Sequence, residues 1–365
     1  MNENSVYLWY TDEPTPQFED YYEVAASALA AIDLDLPREG TILLKPNATV
    51  LYPPEKRVIT HPQFLAGMID RLVKGGVAPE RILVADGQSG ENIDSGFTWE
   101  SCGYKGTLSD ANVRLLEMND VEAKQVEVPD GVIFSQYSMP AVVVDCAFFF
   151  NVPVAKCHNL GCTTLAIKNL MGIVTRPQRH LCRTQSVDEP LGEDLWRLSE
   201  TGLSHFEDQF YHKLCDLLVA FRNLGVPRLC MIDGLVGRDG TGFNEGNNHT
   251  LGWTLLGENE VLVDTVGTYL MGLDALETPY LRVATERGLG TNRVEEIPVI
   301  NLRTGEQIPL QELQQLVPPE PLMPIAPNAG DYYPRFRADG SVVPWNLQAV
   351  NKQRLADNLA AIPVD

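Results

Sequence analysis

Long apolar runs are missing from this chain. The most apolar stretch, residues 141–155, is interrupted by Asp145, Asn151 and Pro153 and is too short to span a bilayer. No membrane partner is expected. The first residues, Met1-Asn2-Glu3-Asn4-Ser5, have neither the basic start nor the apolar core of a secretory leader. Cysteine is scarce: Cys102, Cys146, Cys157, Cys162, Cys182, Cys215 and Cys230 are odd in number and irregularly spaced. That excludes a secreted disulfide framework, and a cytoplasmic protein with reduced thiols is the expectation. Positive charge is also in short supply. The 28 Lys and Arg against 49 Asp and Glu leave a net charge of −21, which excludes nucleic acid and anionic membranes as partners. Internal repeats and low-complexity tracts are absent.

What remains is an ordinary folding composition, 44% hydrophobic and 21% charged over 365 residues. Residues 21–32 read as a helix, and residues 41–44 as a short buried strand stopped by Lys45-Pro46-Asn47. Thr60-His61-Pro62 reads as a helix start, with Thr60 or His61 at the cap and Pro62 in the first turn. Phe64, Leu65, Met68, Ile69, Leu72 and Val73 follow at helical spacing until Gly75-Gly76. Residues 82–85 form a second strand. Strand, helix, strand with polar loops after each strand is the form of a βαβ unit. Residues 142–150 read as a central strand covered on both faces. A polar loop is expected next, then helices at about 165–172 and 210–221, a strand at 228–232, and helices at 261–271 and 280–287. Six prolines between 318 and 334 mark an extended surface strap. The expected fold is α/β, a mostly parallel sheet flanked by helices. One domain over 1–310, in one piece or as lobes 1–150 and 151–310, would precede a proline-rich extension at 311–365.

In such sheets ligands bind beyond the carboxyl ends of the strands. The densest polar segment, from Asn151 through Lys156, Cys157, His158, Cys162, Thr163, Thr164, Lys168 and Asn169 to Gly172, leaves the end of the most apolar strand. Thr163 or Thr164 would cap the next helix, whose free N–H groups would attract an anion. Lys156, His158 and Lys168 would make a cationic pocket there. Cys157, His158, Cys162, His180 and Cys182 are ligands suited to zinc, nickel or iron, although their spacing is not that of a zinc finger or ferredoxin. His205, His212 and His249 lie in polar settings. A third segment runs from Asp233-Gly234 to Gly246 and carries five glycines, including Gly240 and Gly242. It has neither the Gly-x-Gly-x-x-Gly order nor a P-loop Gly-Lys-Ser/Thr. It reads as a tight loop whose backbone approaches a ligand.

Taken together, these segments resemble the domain-of-unknown-function 362 family, DUF362. The resemblance rests on Leu44-Lys45-Pro46-Asn47, Thr60-His61-Pro62, Gly103-Tyr104, Asn151-Val152-Pro153, Lys156-x-His158, Thr164-x-x-x-Lys168-Asn169-x-x-Gly172 and His180. It continues through Asp233-Gly234 and Asp264 to Met271-Gly272. Some members of that family carry an added iron–sulfur module, but this chain has no Cys-x-x-Cys-x-x-Cys run. The segment is also distantly similar to the catalytic domain of nickel-pincer lactate racemases, which order a histidine, a cofactor-bearing lysine and a second histidine. His158, Lys168 and His180 stand in that order, but Thr163-Thr164 replaces the racemase glycine pair before the lysine. The racemase likeness implies a transition-metal or nickel-type cofactor.

The combined expectation is an enzyme acting on a small anionic molecule, a carboxylate, by isomerase-like acid–base chemistry. His158, Lys168 and His180 would be catalytic, with Lys168 holding the anion or a covalent cofactor. Lys45, Asn47, Lys156, Thr164, Asn169, Gly240 and Gly242 would bind substrate. His158, His180, Cys157 and Cys162 would hold any metal. The rival expectations are a metal- or redox-handling protein and an anion-binding module without chemistry.

Overall fold

The computed structural model describes residues 1–11, 18–49, 52–87, 99–119, 121–158, 161–175, 181, 205–240, 246–322, 324, 334–336 and 342–344. The first half of the chain contributes β1 (Val6–Tyr10), α1 (Phe18–Ala30), β2 (Ile42–Pro46), α2 (Pro62–Lys74), β3 (Ile82–Asp86), α3 (Tyr104–Thr107), β4 (Arg114–Glu117), β5 (Ala123–Glu127), β6 (Gln136–Pro140), α4 (Ala141–Val144) and β7 (Phe148–Val152). The second half adds β8 (Val154–His158), β9 (Cys162–Thr164), α5 (Ala166–Asn169), α6 (His205–Asn223), β10 (Arg228–Arg238), β11 (Asn248–Gly257), α7 (Glu260–Leu270), α8 (Pro279–Glu286) and β12 (Val299–Asn301).

The principal sheet runs in the order β12-β1-β11-β10-β7-β2-β3-β4, with β8 paired to β10 and β9 to β8. From β10 through β7, β2 and β3 to β4 every pair is parallel. β11 runs antiparallel to both β10 and β1. The sheet is therefore mostly parallel, as the βαβ pattern implies. β2, β3 and β4 step outward in one direction, whereas β7 returns to the other side of β2. The strand order reverses between β2 and β7, and in such sheets that crevice is where ligands bind.

Alternating side chains build the layers. Ile42, Leu44, Ile82, Val84, Phe148 and Phe150 face α1 and α2, while Leu43, Leu83 and Phe149 face α6 and α8. α2 begins where the sequence indicates. Pro62 takes the first turn, and the His61 ring Nδ1 accepts the Gln63 N–H at 3.3 Å. Gly75 caps its end, followed by Gly76 at φ +95°.

Several expectations are corrected. The apolar run 142–150 is not one strand. Ala141–Val144 makes a helical turn, and β7 starts at Phe148. An apolar run alone does not distinguish a buried helical turn from a buried strand. The polar loop expected after it is a hairpin, β8–β9. The strand expected at 228–232 continues to Arg238, with a bulge between Gly234 and Val236. Two glycines of the third segment serve packing rather than a ligand. A Cβ on Gly234 would overlap the Trp253 ring, and one on Gly237 would press on Leu251 and Leu322.

Of the surface strap expected at 317–334, residues 317–322, 324 and 334 are described, and 317–322 run without helix or strand. Pro319 and Pro321 are exposed, but Leu322 is fully buried. Its N–H bonds to Met271 O at 3.0 Å, and its carbonyl accepts from Cys157 Sγ at 3.6 Å. Pro334–Phe336 pairs antiparallel with Val342–Pro344. Among the described residues no helix is long and apolar enough to cross a membrane.

Candidate functional site

The carboxyl ends of β2, β3 and β7 each deliver a polar group to the switch point. Lys45 ends β2 and stands in register with Asn151 of β7. Its Nζ pairs with Asp86 Oδ1 of β3 at 2.6 Å, both side chains being 1% exposed. Asp86 is itself fixed by the N–H groups of Ala48 (2.6 Å) and Gly87 (2.8 Å). Asn169 at the end of α5 ties the group together. Its Oδ1 accepts from Lys45 Nζ at 3.2 Å and from Asn47 Nδ2 at 3.3 Å, and its Nδ2 donates to Asn151 Oδ1 at 2.8 Å.

Pro153 breaks β7 from β8, and the β8–β9 ribbon then rises beyond the strand ends. Lys156 faces Thr164 and His158 faces Cys162, so these four share one face. Cys157 and Thr163 take the other. Lys156 Nζ donates to Asn47 Oδ1 at 2.7 Å and to Val58 O at 2.6 Å, both neutral oxygens. Among the described residues no carboxylate makes an ion pair with it. The Thr164 hydroxyl is buried and makes no hydrogen bond. Gly161 N–H donates to His158 Nδ1 at 3.2 Å, and the Lys168 stem passes over Gly161 toward Met171 Sδ and the Phe210 ring. Arg238 of β10 stands in register with Lys156.

Basic groups thus crowd a buried region of an acidic protein. Burial, with Lys168, Arg238 and Lys45 adding repulsion, brings the Lys156 ammonium down from 10.5 to about 7, against the pull of Asp86. Burial first, then Lys168 and Lys156, holds the His158 imidazole well below its ordinary 6.5. His158 is therefore neutral at pH 7. It offers a hydrogen bond rather than a charge.

The structure brings Lys45, Asn47, Lys156, His158, Thr164, Lys168 and Asn169 together. Gly240 follows Arg238 and Asp239 at the end of β10, with φ +67°. His180, Cys182 and Gly242 lie outside the described residues. Cys157 does not join the proposed metal set, because adjacent strand residues point to opposite faces. Its thiol packs toward Leu322, and burial raises its pKa well above 9.0. Among the described residues no three His, Cys, Asp or Glu side chains gather to hold a metal.

Nor does a threonine cap α5. Thr163 bonds to Thr268 and Tyr280, and Thr164 lies in β9. The carboxylate of Asp264 takes the first N–H groups of α5, Ala166 at 2.6 Å and Ile167 at 3.0 Å. The helix start expected to attract an anion is filled by the protein's own. Asp86 and Arg238 were not foreseen. A carboxylate closing the strand beside Lys45 was the available signal for the first.

The Lys45–Asp86 pair also explains Gly172. A Cβ there would fall 2.7 Å from Lys45 Nζ and onto Asp86 Oδ1. Gly172→Ala is expected to cost about 2–4 kcal/mol in urea unfolding, since it overpacks and splits a buried ion pair. Gly106→Ala, where nothing lies within 4 Å, should change little.

Residues 42–269, more than half of the chain, match the family described as "Domain of unknown function (DUF362)". The thylakoid-associated protein sll1697 of Synechocystis sp. is similar to this chain, 22% identical over 289 residues that make up 78% of each protein. The family match encloses the whole polar cluster, from Lys45 on β2 through the β8–β9 ribbon to Asp264 on α7, and the chain belongs to the DUF362 family.

Proposed function

We propose that this chain is an enzyme that binds a small carboxylate at the strand ends and moves a proton at the carbon next to it. The observation that carries this reading is Lys156. Its ammonium is buried, hydrogen-bonded to two neutral oxygens, and poised at about 7. A lysine tuned in this way exchanges a proton at physiological pH. The neutral amine would take the α-proton of the bound acid and return it to either face. Lys168 and Arg238 would stabilise the negative charge that develops on the carboxylate, and the Thr164 hydroxyl, unpaired in the protein, would donate to it. His158, neutral, would orient the substrate. The six described cysteines are free and buried, which fits a reducing, cytoplasmic setting better than thiol chemistry.

The test offers the purified protein a panel of 2-hydroxy and 2-oxo acids in deuterated buffer. Thermal shift and loss of the α-hydrogen signal are expected together. Lys168→Ala should weaken both by at least about tenfold while the protein stays folded. A shift without exchange would leave only an anion-binding module.

A further inference from the structure

Three buried polar atoms without a hydrogen-bond partner gather around His61: Tyr21 Oη, Arg57 Nη1 and Asp233 Oδ1. They come from α1, from the β2–α2 connection and from β10. The His61 ring stacks on Tyr21 with centroids 4.0 Å apart and planes at 24°. The Arg57 guanidinium lies 4.9 Å from the Tyr21 ring centre. The other oxygen of Asp233 accepts the His61 N–H at 2.9 Å. Tyr21 and Asp233 are each 1% exposed. Native interiors leave few such atoms unpaired, and a cluster of them calls for an occupant.

The chemistry of the three restricts that occupant. A guanidinium can only donate, a carboxylate only accept, and a phenol does either. A cation would be repelled by Arg57 and an anion by Asp233. A hydroxyl satisfies all three, because it accepts from Arg57 and donates to Asp233. Burial raises Asp233 to about 6, opposed by the His61 amide, Arg57 and the Leu235 amide, so at pH 7.5 it is the accepting carboxylate.

The position relative to Lys156 gives the hydroxyl its carrier. Asp233 stands in register with Val154, and Lys156 lies two residues further along β8 on the same face. Sheet spacing puts the two Cα atoms about 8 Å apart. Both side chains touch the β2–α2 connection, Lys156 at Asn47 and Val58, Asp233 at His61.

We propose that Tyr21, Arg57 and Asp233 form a seat for a hydroxyl group of the substrate, so that the chain takes carboxylates hydroxylated at the end away from the carboxylate. This rests on the reading of the strand-end cluster of Lys156, Lys168 and Arg238 as the carboxylate site.

The experiment compares plain and ω-hydroxylated straight-chain carboxylates of two to six carbons by calorimetry at pH 7.5. At one length the hydroxylated acid should bind wild type about tenfold more tightly than its plain partner. Tyr21→Phe and Asp233→Asn should erase that preference and leave binding of the plain acid unchanged. Lys168→Ala should weaken binding of both by at least about tenfold. Without ligand, Tyr21→Phe should unfold at or above the wild-type temperature, because its hydroxyl has no partner to lose. A fall of several degrees would show that a resident water or protein group already fills the seat, and would overturn the proposal. Equal affinity of the two acids at every length would also overturn it while leaving the carboxylate site standing. Absence of binding by either kind of acid would overturn both.

Discussion

Replacing Lys156 by methionine is expected to abolish exchange of the α-hydrogen and to change how stability responds to pH. In the unfolded chain this lysine holds its proton up to about 10.5, but in the folded chain only to about 7. Between those values unfolding takes up a proton, so wild-type stability rises with pH by about 1.4 kcal/mol per pH unit. At and below pH 7 the buried ammonium costs the fold several kcal/mol. Methionine removes that cost, but it leaves Asn47 Oδ1 and Val58 O without a donor. The variant should therefore be more stable than wild type at pH 6 and less stable at pH 9, with the two curves crossing in between. Urea unfolding across that range measures the crossing. Parallel curves would mean that Lys156 keeps an ordinary affinity for its proton.

Much of the scaffold was legible because its signals are local. The His61-Pro62 start and Gly75-Gly76 end of α2 are cap chemistry within a few residues. Lys45 and the 151–169 segment could be placed at strand ends because each follows a short apolar run. The ribbon at 154–164 was not legible. Its strands place lysine, histidine and threonine in positions 9% exposed or less, where composition suggests a solvated loop. Buried polar strands are disguised in this way whenever their partners come from elsewhere, and here Asn47, Val58 and Arg238 lie 80 to 110 positions away. The glycines at 234 and 237 misled for a similar reason. What they make room for, Trp253 and Leu322, is distant in sequence. Asp264 stands 98 positions from the helix start it caps.

Asp264 carries the other large expected effect. It is fully buried, and it receives the N–H groups of Ala166 and Ile167 and, at 3.2 Å, the Tyr280 hydroxyl. Through those bonds it fixes α5, which positions Lys168 and Asn169. Asp264→Ala would strand three buried donors and should cost about 3 kcal/mol or more. It should also free α5 enough to abolish carboxylate binding. The size of the loss depends on pH, because burial raises Asp264 from 3.8 to about 7 in the folded chain despite those three donors. Between these values the folded state holds a proton that the unfolded state has released, so wild-type stability falls as pH rises from about 4 to 7. Above 7 the buried charge burdens wild type but neither variant. The alanine variant should thus lose most at pH 5 and less at pH 8. Asp264→Asn keeps an oxygen for the amides and carries no charge. It should match wild type near pH 5, exceed it at pH 8, and still bind the carboxylate. An asparagine variant as weak as alanine at both pH values would show that the charge itself holds α5 in place, and that the Coulombic pull on the helix start outweighs the cost of burying it.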